Sequence, residues 1–124
     1  MVVNGKGPYD SQNIFAKILR GEIPCAKVFE NDWVLAFNDI APKAPVHVLI
    51  IPRNAYVSFM DFSSTAPAEE IAGVMQAAGE VARHMGLEEN GYRLITNAGR
   101  DSGQEVPHFH LHLLGGKALP AFPI

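Results

Sequence analysis

Apolar residues follow two periods along this chain. Ile14, Phe15, Ile18 and Leu19 fall at helical spacing and predict a short helix over residues 12–20, capped by Ser11 and stopped by Gly21. The pattern then becomes extended. Residues 26–30 and 33–38 read as two strands joined by a turn at Asn31-Asp32. Val34, Leu35, Ala36 and Phe37 are all apolar, which predicts a strand covered on both faces. Two prolines, Pro42 and Pro45, make residues 39–45 a loop, and residues 46–51 form a third strand ended by Pro52. The helical period returns at Ile71, Val74, Met75, Ala78, Val81, Ala82 and Met85. It predicts a long helix over residues 68–85, with Pro67, Glu69 and Glu70 suited to its start and Gly86 to its stop. Residues 92–97 read as a fourth strand, residues 99–104 as a loop with two glycines, and the histidine-bearing segment after it as a fifth strand. Residues 1–11 read as a flexible lead-in and residues 12–124 as one domain. The order of elements predicts an α+β meander around an antiparallel sheet.

The fifth strand carries the chemistry. His108, His110 and His112 alternate with Phe109, Leu111 and Leu113. In a strand, alternate residues share a face, so the three imidazoles line one side and the apolar residues face the core. A solvated strand face draws on Thr, Lys, Glu and Arg rather than on histidine. Three chemistries compete for such a row. A metal site is one, although three imidazoles spread over about 13 Å of strand do not easily reach one ion. His47 or Glu105 is a candidate further ligand. Nucleophilic attack on phosphorus is another, with neighbouring imidazoles neutralising phosphate charge and the preceding Gly-rich loop offering backbone N–H donors. Nucleotide binding without turnover would use the same residues.

Composition narrows the field. The chain has 124 residues, 48% of them hydrophobic, and a formal net charge of -3. Lys and Arg are scattered, which argues against a nucleic-acid surface but leaves room for a small anionic ligand. One cysteine, Cys25, rules out an internal disulfide and fits a reducing compartment. The N-terminal residues form no apolar signal core, and no stretch is apolar enough to span a membrane, so a cytoplasmic location is expected.

The run His108-Phe109-His110-Leu111-His112-Leu113-Leu114 resembles the signature of the histidine-triad nucleotide hydrolases and transferases. Further blocks resemble the Hint branch of that family, the purine nucleoside phosphoramidate hydrolases. They are Asn13-Ile14-Phe15-Ala16-Lys17-Ile18, Gly21-Glu22-Ile23-Pro24, Leu35-Ala36-Phe37-Asn38-Asp39-Ile40-Ala41-Pro42, Ala44-Pro45-Val46-His47, Ile50-Ile51-Pro52 and Gly103-Gln104-Glu105-Val106. The blocks stand in the family's order from about Asn13 to Gly116, nearly the whole chain.

The resemblance implies a five-stranded antiparallel sheet with one long and one short helix, continued across a homodimer. It implies binding of a purine nucleoside monophosphate or its phosphoramidate, and cleavage of the P–N bond through a covalent nucleotidyl-histidine. No cofactor or metal is expected, because the histidines are spread along one strand with no evident fourth ligand nearby. On this pattern His110 is the nucleophile, and His112 contacts phosphate and protonates the leaving amine. His108 and His47 complete the polar network around them. Asp39 binds the ribose hydroxyls, Ile14, Phe15, Ile18, Ile23 and Phe37 wall the base, and Asn97, Gly103, Glu105 and Val106 surround the phosphate. Each role has a plainer competitor. The apolar wall suits any core, Asp39 suits a turn, and a lone buried His47 is commonly structural. His84, Arg100 and Lys117 read as solvated surface. Glu105 stands where some relatives carry serine, and residues 118–124 lack the tryptophan that some relatives carry. Cleavage of dinucleoside polyphosphates, as in another branch, and non-catalytic nucleotide sensing are the alternatives.

Overall fold

A computed structural model gives the fold and describes residues 3–121. The first two residues of the expected lead-in and the last three of the tail lie outside it. The elements are α1 (Ile14–Leu19), β1 (Lys27–Glu30), β2 (Val34–Asn38), β3 (Val46–Pro52), α2 (Phe59–Thr65), α3 (Ala68–His84), β4 (Arg93–Ile95) and β5 (Leu111–Gly115). The five strands form one sheet in the order β1-β2-β3-β5-β4, with every pairing antiparallel.

The sheet is covered on both faces, as the unbroken apolar run of β2 requires. Val34, Ala36, Val48, Ile50, Leu111 and Leu113 pack with Val74, Ala77, Ala78 and Val81 of α3 and with Phe62 of α2. Leu35, Phe37, Leu49 and Ile51, one residue out of phase, pack with Phe15 of α1. That second face is only partly covered, because α1 spans six residues. The uncovered part is where the site lies.

Three expectations are corrected. The cap of α1 is Asn13, not Ser11: the Asn13 side chain accepts from the N–H of Ala16 at 2.9 Å, while Asp10 holds Asn13 from behind. Besides the one short and one long helix expected there is α2, seven residues with a single buried side chain and so no readable period. Its signal was the capping box Ser58-x-x-Asp61, which is fully formed. The histidine strand is shorter than alternation suggests, since β5 starts at Leu111 and only His112 lies within it. Pro107 offers no N–H, the His108 N–H turns back to the Val106 carbonyl, and that of Phe109 goes to Tyr56. The division of faces survives the loss of the ladder, because Phe109, Leu111 and Leu113 all join the core beneath α3.

The segment expected as a flexible lead-in packs against the domain. Val3 is buried, Ser58 Oγ donates to the Gly5 carbonyl at 2.6 Å, and the Tyr9 hydroxyl lies 2.6 Å from Nδ1 of His108.

Candidate active site

A cavity of about 480 Å³ opens on the partly covered face of the sheet. All ten residues expected to bind nucleotide line it: Ile14, Phe15 and Ile18 from α1, Ile23 beyond it, Phe37 and Asp39 at the end of β2, and Asn97, Gly103, Glu105 and Val106 from the loops before β5. His110 and His112 complete the lining. Pro24, Cys25, Ala26, Asn38, Ile40, Ala41 and Leu49 also line it. Of these, Leu49 was readable, since it shares the face of His47 two residues away. One wall is thus apolar and the other carries imidazoles, carboxylates and loop backbone. A second cavity of about 720 Å³ shares Asp39, Ala41, Asn97, Glu105 and His112 with the first and adds Lys43, His47, Ser102, Leu119 and Pro120.

His108 does not line either cavity; it is fully buried beneath them. Its Nε2 lies 2.9 Å from the Pro52 carbonyl, which only accepts, so Nε2 carries the proton. Its Nδ1 is then an acceptor, and the Tyr9 hydroxyl donates to it. The same logic fixes His110. Its Nδ1 lies 2.7 Å from the His108 carbonyl and must donate, leaving Nε2 with a free lone pair. Phe15 and His110 make a T-shaped ring contact, with centroids 4.9 Å apart. Burial pushes both His108 and His110 down to about 4, so both rings are neutral at pH 7.

A separate chain sets His112. The Lys43 N–H donates to Nδ1 of His47 at 3.0 Å, so the neutral His47 ring carries its proton on Nε2. That nitrogen lies 2.9 Å from Nδ1 of His112. His112 accepts there, and its own proton sits on Nε2. Burial also lowers the proton affinity of His47 and His112. Asp39 Oδ2 lies 3.4 Å from His47 Nε2, and its other oxygen accepts from the Ala41 N–H at 2.8 Å. The turn role and a site position therefore coexist in Asp39.

Ligand atoms of Asp39, His47 and His112 lie within 4.8 Å of one another, close enough to hold a metal ion. The hydrogen bonds oppose it. For His47 to ligate through Nε2, its proton must move to Nδ1, where it would face the Lys43 N–H.

The loop before the histidines is a built feature. Gly99 and Gly103 take positive φ values of 84° and 76° on either side of a 3-10 turn. Gln104, which sequence reasoning left without a role, is 4% exposed and pins the loop from below. Its oxygen accepts from the Gly99 N–H, and its amide donates to the carbonyls of Val57 and Val106. The N–H groups of Glu105 and Val106 make no hydrogen bond among the described residues. Nor does the exposed Glu105 carboxylate, although its charge raises the proton affinity of His110. Tyr9 is the other participant that sequence reasoning missed; a tyrosine outside every readable element gives no signal.

A cavity with one apolar wall, a Gly-rich loop and two lining histidines, backed by His108 and His47 on an antiparallel sheet, is an arrangement of the histidine-triad type. The chain belongs to the HIT family of hydrolases: the HIT domain matches residues 20–119. It is 56% identical over 111 residues to a 13.2 kDa HIT-like protein of Azospirillum brasilense, covering 90% of this chain and 91% of that one. It is 44% identical over 108 residues to the purine nucleoside phosphoramidase of Escherichia coli, covering 87% and 90%. Among solved structures, a HIT family hydrolase from Clostridium thermocellum superposes with a TM-score of 0.83 at 40% identity, over 91% of this chain and 97% of that one.

Proposed function

We propose that this protein hydrolyses purine nucleoside 5'-phosphoramidates, of the adenosine monophosphoramidate type, through a nucleotide covalently held on His110. The observation that carries the reading is the pair of opposed tautomers. His110 offers an unprotonated Nε2 and His112 a protonated one, and both rings line the same cavity. The named Escherichia coli relative supports the substrate class.

Nε2 of His110 attacks phosphorus. With the anionic phosphate beside it, His112 takes a second proton on Nδ1 as the His47 Nε2–H turns to Asp39 Oδ2, 3.4 Å away, and the imidazolium passes its Nε2 proton to the amine as the P–N bond breaks. Water then attacks the phosphorus, the P–Nε2 bond breaks, and the water proton returns to His112. His110 is left neutral, with its proton still on Nδ1. The base lies against Ile14, Phe15, Ile18, Ile23 and Phe37, and the ribose hydroxyls meet Asp39. The phosphate rests among Asn97, Gly103 and Val106 and on the N–H of Glu105. His108 and His47 act through the rings they orient. No metal takes part.

The test is turnover of an adenosine phosphoramidate beside a diadenosine polyphosphate. Preference for the former, unaffected by exhaustive chelation, is expected. His110→Ala should abolish turnover and leave nucleoside monophosphate binding measurable, whereas His112→Ala should slow poor leaving amines most. Mass spectrometry of the quenched enzyme should place the adduct on His110. An adduct on another histidine, or zinc-restored activity after chelation, would overturn the mechanism.

A further inference from the structure

We infer that Tyr9 is a positioning residue for the proposed nucleophile, and that residues 3–10 form a strap lying against both the Gly99 loop and His108. The inference rests on the reading of His110 above. Tyr9 lies outside the residues matched by the HIT domain.

The strap is anchored at three points. Val3 is buried, and the Gly5 carbonyl accepts from Ser58 Oγ, itself fully buried. Gly5 lies so close to Gly99 that a Cβ placed on it would sit 2.9 Å from the Gly99 nitrogen; Gly5 also has a φ of +78°. The strap therefore lies against the first residue of the loop proposed to hold phosphate. Its third anchor is the Tyr9 hydroxyl on His108.

That contact bears on chemistry because of what His108 does next. Both ring nitrogens of this fully buried residue are committed, one to Pro52 and one to Tyr9. The rings of Tyr9 and Phe15 both make T-shaped contacts with it, with centroids 5.6 and 6.4 Å away. The same residue's carbonyl receives the Nδ1 proton of His110. Tyr9 thus holds the His108 ring in the tautomer that the Pro52 carbonyl sets, and the held residue presents the carbonyl that fixes the tautomer of His110. Among the described residues, no donor other than Tyr9 reaches His108 Nδ1. Without the hydroxyl, that nitrogen is a buried acceptor with no donor, and the ring gains by moving. Movement carries the carbonyl with it.

The experiment is Tyr9→Phe in the full chain, read by steady-state kinetics and by imidazole nitrogen NMR. The kcat for an adenosine phosphoramidate should fall about tenfold or more. KM and the dissociation constant of the nucleoside monophosphate should stay within about twofold, because Tyr9 does not line the cavity. The His108 Nδ1 resonance should shift, and the His110 Nδ1 proton should exchange faster with water. A folded variant with unchanged kcat, or a wild-type spectrum showing His108 protonated on Nδ1, overturns the inference. Should the variant fail to fold, 3-fluorotyrosine incorporation into the wild type preserves the shape and acidifies the phenol. The His108 Nδ1 shift then follows if Tyr9 donates, and an unmoved resonance overturns the inference. Absence of hydrolysis by the wild type would remove the proposed function, while the nitrogen spectra still decide the role of Tyr9.

Discussion

At the scale of single residues, the site depends on where protons sit. His108 and His110 titrate near 4 because burial penalises their charged forms, while the unfolded rings titrate near 6.5. Below pH 6.5 the unfolded chain takes up protons that the native state refuses, so stability falls as pH drops from about 6.5 towards about 4. Each ring contributes on the order of a few kcal/mol to that loss. Urea unfolding between pH 7 and pH 4.5 should show the midpoint falling already between pH 6.5 and 5.5, ahead of ordinary carboxylates. A flat midpoint across that interval would contradict the buried neutral rings. Glu105 supplies a second prediction at this scale. Its carboxylate is exposed and unpaired among the described residues, whereas its N–H is free beside the cavity. A carboxylate facing phosphate repels it by about 1 kcal/mol at 4 Å in water. Glu105→Ala should therefore leave nucleotide affinity nearly unchanged, and Glu105→Pro, which deletes the N–H, should weaken it severely. Titration calorimetry with a nucleoside monophosphate separates the two. Loss of turnover in Glu105→Ala with affinity intact would instead make the carboxylate an acid-base partner.

At the scale of elements, α3 shows how packing overrides propensity. Gly73 is buried in the helix interior, where alanine would gain about 1 kcal/mol by propensity alone. A Cβ at Gly73, however, would sit 2.4 Å from the Trp33 ring, which lies across the helix at that point. Displacing a packed indole costs about 1–3 kcal/mol, more than the propensity gain. Gly73→Ala should destabilise the fold. Gly79→Ala, six residues on and meeting only the Arg83 guanidinium at 3.6 Å, should stabilise it. Thermal unfolding of the two variants gives shifts of opposite sign, and stabilisation by both would refute the packing argument.

At the scale of the molecule, the sheet has an open edge at β4, which among the described residues pairs only with β5. Leu94 on that strand, Tyr92 just before it and Met75 on α3 are all exposed large apolar side chains. Such an edge invites pairing with another copy. Light scattering in physiological salt should give a mass near twice 13.5 kDa, and Leu94→Glu should lower it. A clean monomer at micromolar concentration would oppose the homodimer. Among the described residues no helix is long and apolar enough to cross a membrane.

The chain's own pattern determined the sheet, the long helix and which side chains face the core. Periods of two and of three to four are local consequences of backbone geometry and need no tertiary information. The same local reading, with the ordered blocks of the family resemblance, assembled the residues now found lining one cavity, from Ile14 in α1 to His112 in β5. Three things were decided only by the fold. Pro107 and the contacts of Phe109 cut the histidine strand back to Leu111, since ladder pairing depends on partners distant in sequence. The proton positions of His108 and His112 depend on a carbonyl at Pro52, a hydroxyl at Tyr9 and the Nε2–H of His47. The capture of residues 3–10 by Ser58, Gly99 and His108 has no periodic signature at all. Hydrogen bonds closed over long sequence separations leave no pattern in the chain, and the proposed chemistry rests on them.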